Sequence, residues 1–296
     1  MTTSKADMAP VITLTTDFGT GDAYVASMKG VILTINPEAT IVDITHSVEP
    51  QNVLQAAFIL STAHSYFPEG SIHVVVVDPG VGSARKAVIL RTPSAFFVAP
   101  DNGVLSYLLD APGRGPARPS PPIPSNLEQR EPGTGFEAVH ITNPDFWLQP
   151  VSDTFHGRDI FASVAAHLSL GVPLSRFGDS IKRLYAFPIP RPDREAEGNL
   201  VGHVLHIDNF GNLITDIKNN DLPTGELVVQ IGSHRVQGLS QFYSQRDGLM
   251  AIIGSSGYLE ISLKNGSAAA FLGIKVGGAV RLRRSKAARK LRENAD

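Results

Sequence analysis

Residues 71–85 read SIHVVVVDPGVGSAR. The first seven, Ser71 to Val77, make a continuous apolar strand pattern instead of the alternation of a half-buried strand. A strand of this texture belongs to a sheet covered on both faces, as parallel sheets are. Asp78 ends the run, and the loop Pro79 to Arg85 that follows carries two glycines. Ligands of α/β folds gather at the carboxyl ends of strands, so Asp78 is the first residue to consider for chemistry.

Working outward, the surrounding segments alternate. Val11 to Thr15 reads as a strand that runs into Asp17-Phe18-Gly19. Tyr24 to Ile35 has helical spacing and stops before Pro37. Thr40 to Ile44 is a β-branched strand, and Gln51 to Tyr66 a second helix. Downstream, Ala87 to Arg91, Ala95 to Ala99 and Glu137 to Thr142 read as strands, and Asp159 to Ser169 as a helix. This alternation predicts an α/β N-terminal domain, 1–190, with a largely parallel sheet. Ala111 to Gly135 interrupts it with seven prolines and is expected to be a mobile surface insertion. Pro188 to Gly198 reads as an interdomain linker. Beyond it, Val201 to Ile207, Leu213 to Ile217, Glu226 to Ile231, Leu249 to Ile253, Tyr258 to Leu263 and Ala279 to Leu282 are short strands split by turns. They predict a smaller all-β, barrel-like C-terminal domain, 191–296.

Composition narrows the function. The 296 residues are 42% hydrophobic and 18% charged, a globular balance. The net charge of −2 gives no electrostatic case for nucleic acid. Seven Lys or Arg residues fall within Arg281 to Arg292, a stretch expected to be a solvated, frayed end. No cysteine is present, which removes disulfides, thiolate nucleophiles and zinc-thiolate sites. No apolar run reaches membrane-spanning length, and the polar start lacks a signal-peptide core. A cytoplasmic protein that binds neither membrane nor nucleic acid is expected.

Several short segments carry groups able to do chemistry, each with a plainer alternative. Asp78 and the loop to Arg85 let a ligand approach the backbone, but the loop is not a P-loop, and a simple turn capped by Asp78 explains it equally well. His156, in Thr154-Phe155-His156-Gly157-Arg158-Asp159, is reachable beside a glycine. The alternative is a helix-entry histidine followed by a first-turn carboxylate, Asp159. Asp17 and Asp22 share a glycine-rich loop, where a carboxylate can accept hydrogen bonds from ribose hydroxyls or an ammonium group or merely cap a helix. Asp17-Phe18-Gly19 has the letters of a kinase metal motif without the glycine-rich loop or strand lysine that should precede it. Asp208-Asn209-Phe210-Gly211-Asn212 joins two strands, as an Asx-rich turn also would. Gly254-Ser255-Ser256-Gly257 is a second polar turn. The histidine spacings, His64 with His73 and His203 with His206, make no recognised metal site.

Taken together, the segments TTDFGTGDAYVASMKGVI (15–32), ATIVDITHSV (39–48), FPEGSIHVVVVDPGVGSARK (67–86), TFHGRDIF (154–161), HIDNFGNLITDI (206–217) and GSSGYLEI (254–261) resemble, in order, the SAM hydroxide adenosyltransferase family. That family is related to the SAM-dependent fluorinases and chlorinases. The resemblance spans nearly the whole chain, apart from 111–135 and the two tails. It implies attack of water or hydroxide on the ribose 5′ carbon of S-adenosylmethionine (SAM), giving adenosine and L-methionine. SAM is then substrate, and neither a metal nor another cofactor is implied. The catalytic set it implies is Asp78, Arg85 and His156. The halogenating relatives place a tyrosine where this chain has Asp78, which favours the hydrolase. The resemblance further implies that Asp17 binds the ribose hydroxyls, that Asp22, Asp208 and Ser255 face the methionine end, and that Asn212 faces the adenine. Ser256 stands where the halogenating relatives have an arginine, so a carboxylate partner there is the weakest of these assignments. A homotrimer with sites between subunits is implied as well. The competing functions are a non-catalytic SAM or adenosine sensor and, last, a halogenase; a pocket carboxylate would repel halide.

Overall fold

The computed structural model describes residues 11–110, 126–195 and 199–284. It separates into two compact units, one of residues 11–110 and 126–188, the other of 189–195 and 199–284. The first unit contains strands β1 (Val11–Thr16), β2 (Thr40–Thr45), β3 (Ser71–Val76), β4 (Ala87–Arg91), β5 (Ala95–Pro100), β6 (Glu128–Arg130), β7 (Glu137–Ile141), β8 (Gly178–Ile181) and β9 (Leu184–Ala186). Its helices are α1 (Tyr24–Ile35), α2 (Val53–Ala63) and α3 (Ser163–Ser169).

Seven of these strands form one mixed sheet in the order β2-β1-β3-β5-β4-β7-β8. The pairings among β2, β1, β3 and β5 are parallel, and those of β4 with β5 and β7, and of β7 with β8, are antiparallel. Every residue of β3 is buried, as its apolar texture demands. On one face Ile12, Leu14, Ile72, Val74 and Val76 pack against Met28 and Ile32 of α1 and Ala165 and Ala166 of α3. On the other face His73 and Phe97 meet His64, which follows α2 directly. Helix α1 buries Val25, Met28 and Ile32, positions that share one helical face. It ends at Asn36, before Pro37, and the Asn36 amide donates to Ser169 Oγ at 2.8 Å, which pins the ends of α1 and α3 together. Helix α2 starts on Asn52, whose side chain accepts from the Gln55 amide at 3.0 Å.

The second unit is antiparallel throughout its named strands: β10 (Asp193–Arg194), β11 (Leu200–Ile207), β12 (Leu213–Lys218), β13 (Leu227–Ile231), β14 (His234–Gln237), β15 (Leu249–Ile253), β16 (Tyr258–Leu263) and β17 (Ala279–Arg284), with one short helix, α4 (Ala268–Leu272). The order is β14-β13-β17-β11-β12-β16-β15. Ser240, just past β14, bridges to Ile252 of β15, so the sheet nearly closes into a barrel. Leu200, Val204, Leu213, Val229, Ala251, Leu259, Ile261 and Leu282 fill its core.

Three expectations change. Within the proline-rich segment 111–135, residues 111–125 lie outside the described residues, but Glu128–Arg130 forms a strand paired with β9, so this end is held in place. Within Pro188 to Gly198, expected as an interdomain linker, Asp193 and Arg194 pair with Val201 and Leu200, so this part belongs to the sheet of the second unit; residues 196–198 lie outside the described residues. Of the basic stretch, Arg281, Arg283 and Arg284 belong to β17 and pair with β13, because a strand alternates its faces and carries arginines outward; residues 285–296 lie outside the described residues. No helix among the described residues is long and apolar enough to cross a membrane.

Candidate active site

Strands β1 and β3 lie side by side and parallel, with Thr16 opposite Val76. Asp17 and Asp78 therefore leave the sheet at the same edge, its carboxyl end. Between them opens a cavity of about 370 Å³ lined by Asp17, Phe18, Tyr24, Pro50, Gln51, Val76, Asp78, Pro79, Val81, Thr154, Phe155, His156 and Gly157.

Asp78 lines this cavity and is held by Arg85. The arginine donates from Nε to both carboxylate oxygens, at 3.0 and 2.9 Å, and from Nη2 to Oδ2 at 2.5 Å. Both side chains are nearly buried, 10% exposed for Arg85 and 5% for Asp78. A buried ion pair holds its place when its hydrogen bonds are satisfied, and this one has a further partner: Arg85 Nη2 lies 2.8 Å from His156 Nδ1. A guanidinium carries only donors, so Nδ1 accepts, and in the neutral ring the proton sits on Nε2. Burial is the main cause that lowers the His156 pKa, and the Arg85 charge lowers it further, against the opposing carboxylates of Asp78, Asp159 and Asp153. Arg85 itself is absent from the cavity wall. It lies behind Asp78 and His156, over the Phe161 ring at 5.3 Å.

The loop shape follows from its small residues. Gly82 has φ +75°, and a Cβ there would lie 2.6 Å from the Asp153 carbonyl oxygen, so only glycine lets this loop approach the segment that carries His156. That segment enters α3 through a π-helical turn, Gly157–Ala162, a rare form found often at functional sites. Asp159, fully buried, accepts from the Ser152 amide at 2.8 Å and from Arg158 Nε at 2.6 Å. It fixes the turn and is not a free first-turn carboxylate.

Asp17 faces the same cavity and accepts from the Gln51 amide at 2.8 Å. Burial raises its pKa, opposed by the hydrogen bonds from the Gln51 and Asp17 amides. Gln51 holds φ +64°, an uncommon conformation for a residue with a side chain and one that concentrates at functional sites. Part of the lining is aromatic. Phe18, Tyr24 and Phe155 meet pairwise at centroid distances of 5.2 to 5.7 Å. Sequence reasoning passed over these rings, although all three lie inside the motifs at 15–32 and 154–161. Asp22 is exposed and does not line the cavity.

In the second unit, Asp208 and Asn212 form one closed turn. Asp208 Oδ1 accepts from the Phe210 and Asn212 amides, at 2.9 and 2.8 Å, and Oδ2 accepts from the Asn212 side-chain amide at 2.8 Å. Ser255 is exposed on the turn between β15 and β16, and Ser256 Oγ is buried with no hydrogen-bond partner among the described residues. No group of three or more His, Asp or Glu residues among the described residues is arranged to hold a metal ion.

The chain matches the SAM hydroxide adenosyltransferase N-terminal domain over residues 12–178 and the C-terminal domain of the same name over 202–281. It is 38% identical to a protein of Thermus thermophilus named (R)-S-adenosyl-L-methionine hydrolase, over 93% of this chain and the whole of that one. A Salinispora tropica protein of the same name is 35% identical over 92% of this chain and 97% of its own length. A protein named fluorinase from an Actinoplanes strain is more distant, 29% identical over 72% of this chain and 73% of that one. Among solved structures, an uncharacterised conserved protein of Thermotoga maritima superposes with a TM-score of 0.79 at 35% identity, covering 92% of this chain and all of the other. The chain belongs to the SAM hydroxide adenosyltransferase family.

Proposed function

We propose that the chain hydrolyses SAM to adenosine and L-methionine. The observation that carries this reading is the Asp78, Arg85 and His156 constellation at a cavity that also holds Asp17. The new bond joins a water oxygen to the ribose 5′ carbon as the bond from that carbon to sulfur breaks. The bonding pair returns to sulfur, so methionine leaves as a neutral thioether and needs no general acid. What the step needs is a positioned, partly desolvated oxygen nucleophile.

The hydrogen bonds support the following division of roles. Asp78 lines the cavity and accepts from the water, drawing its proton away as the oxygen attacks. His156, with Nδ1 engaged by Arg85, offers Nε2–H to orient the same oxygen. Arg85 works from behind, holding the carboxylate and the imidazole in one geometry. No metal enters this scheme, because the leaving group carries its own activating charge. Asp17 binds the ribose hydroxyls, and the aromatic wall of Phe18, Tyr24 and Phe155 supplies an apolar surface for the nucleoside.

The relatives' name specifies the R configuration at sulfur, and we take the same epimer as this chain's substrate. Such selectivity would spare the other epimer from hydrolysis. Incubation with each sulfonium epimer, followed by chromatography, tests the reading: adenosine and methionine should appear from the R epimer, and recovery of intact SAM at high enzyme would end it in favour of a sensor.

Two domains meeting near residue 190, a cytoplasmic location for a chain without cysteine, and a homotrimer complete the proposal. The trimer is supported by the division of the candidate residues: Asp17, Asp22, Asp78, Arg85 and His156 lie in the first half, and Asp208, Asn212, Ser255 and Ser256 in the second. A site shared between neighbouring subunits uses both groups, and a cyclic arrangement closes the ring. Light scattering should give three times the chain mass of 31.7 kDa; a fully active monomer would contradict it.

A further inference from the structure

The loop that carries Asp78 and Arg85 runs from the end of β3 to the start of β4. In the sheet these two strands flank β5, one parallel to it and the other antiparallel. The loop therefore passes over the carboxyl end of β5, where Asp101 and Asn102 follow Pro100. Its own hydrogen bonds give it its shape. The Val81 amide donates to the Asp78 carbonyl at 3.2 Å, the Ser83 amide to the Gly80 carbonyl at 3.0 Å, and the Arg85 amide to Ser83 Oγ at 3.2 Å. The turn after β5 holds both of its ends.

Asn102 holds the first end. Val77 is fully buried and follows the last paired residue of β3. A buried carbonyl needs a donor, and Asn102 Nδ2 donates to the Val77 carbonyl at 2.9 Å. That carbonyl belongs to the peptide that leads into Asp78. The asparagine is itself fixed. Its Oδ1 accepts from the Val104 amide at 3.2 Å, and Gly103 after it holds φ +96°, where a Cβ would lie 2.8 Å from Leu127 Cδ2. Asp101 holds the second end. Its amide donates to the carbonyl of Lys86, next to Arg85, at 2.9 Å, and its carboxylate accepts from the Tyr185 amide of β9 at 2.7 Å. Asn102 is absent from the cavity wall, so whatever it does there it does through Val77.

We propose that Asn102 is a positioning residue for the hydrolysis: by holding the Val77 carbonyl, it fixes where the Asp78 carboxylate stands against Arg85 and His156. This rests on the reading of Asp78 as the group that accepts from the attacking water. A carboxylate that takes up a proton as a bond forms must be in place, and a misplacement of about 1 Å can cost about a hundredfold in rate. The ribose side of the cavity depends on a different strand, since Asp17 follows β1 and is held by the Gln51 amide. Loss of the Asn102 contact should therefore appear in kcat and leave nucleoside binding alone.

Asn102→Ser separates the two contacts of this side chain. A serine hydroxyl still accepts from the amide two residues on, but it is too short to reach the Val77 carbonyl. The variant should lower kcat about ten- to a hundredfold with adenosine affinity unchanged. Asn102→Asp keeps the shape and the acceptor but loses the donor; it should lose as much, and it carries the test if Asn102→Ser does not fold. Added to Asp78→Ala, either variant should lower kcat no further, because the group it positions is gone. An asparagine that only supports the fold would cost the same factor in both backgrounds. Hydrogen exchange reads the clamp without turnover: the amides of 78–86 should exchange faster in Asn102→Ser while those of β1 keep their protection. Unchanged kcat in both variants, an equal loss with and without Asp78, or adenosine affinity falling in parallel with kcat would overturn the inference. Should wild type leave SAM intact, the hydrolase reading falls and exchange alone decides. Faster exchange confined to 78–86 would then keep Asn102 as the clamp on this loop, and unchanged exchange would remove it.

Discussion

Asp78 and Asp208 each stand where a strand gives way to a glycine-bearing loop, and in the sequence they look alike. Their partners differ in kind. Asp78 is gripped by one guanidinium and lines a cavity. Asp208 spends its oxygens on two backbone amides and the Asn212 side chain, all within five residues. Each carboxylate accepts three hydrogen bonds, so the difference teaches that the partner and the setting matter: Asp78 is held by a guanidinium that also holds His156 at a cavity, and Asp208 by neutral amides of its own turn. A local partner set makes an aspartate a piece of loop architecture.

Substitution breaks this comparison most sharply at Asp78. Asp78→Ala and Arg85→Ala should each lose about two to four orders of magnitude in kcat, the usual contribution of positioned proton transfer, while adenosine binding is largely kept. His156→Ala should lose less, because the proposal gives the proton to Asp78 and only the orientation of the water to His156. Single-turnover rates together with adenosine titration check all three. Near wild-type turnover in Asp78→Ala would show that the two aspartates differ only in geometry.

A smaller effect separates a third carboxylate, Asp216, from both. It is 2% exposed, and its Oδ1 accepts from the His203 amide at 2.8 Å. Its Oδ2 lies 3.8 Å from His203 Nδ1. Burial lowers the His203 pKa, so the ring is neutral at pH 7 and this approach is neither an ion pair nor a hydrogen bond. Burial raises the Asp216 pKa to about 7. A carboxyl whose folded pKa lies above its unfolded value favours the fold at low pH, and that contribution is lost as pH rises through about 7. Asp216→Asn should therefore raise Tm by several degrees at pH 8 and change it little near pH 4, the shift reflecting a few kcal/mol at most. Melting curves at the two pH values decide it; equal shifts at both would show that the carboxyl does not titrate in this range.

Much of this was legible in the sequence, for identifiable reasons. The burial of β3 follows from its apolar run, and the ends of α1 from its spacing and Pro37. The Asp78, Arg85 and His156 set came from motif resemblance, and the structure shows the three in contact. Long-range pairing stayed hidden. Nothing local in Ala87 to Arg91 reveals that it runs antiparallel between β5 and β7. The strands β6, β8, β9, β10 and β14 have two to four residues, too few to show a period. The π-helical turn at Gly157–Ala162 lies in a stretch with ordinary helical texture, so the expected helix from Asp159 merged two conformations. Asn102 escaped notice because an asparagine before a glycine, just past a strand, reads as an ordinary turn residue. Only the fold shows that its side chain reaches Val77.

The central claim, that Asp78 and its partners direct an oxygen from water onto the ribose, is tested most directly by turnover of SAM in water enriched in the heavy oxygen isotope. The account predicts that adenosine gains one heavy oxygen, at its 5′ hydroxyl, while methionine gains none. Label in methionine, or adenosine formed without label, would contradict it.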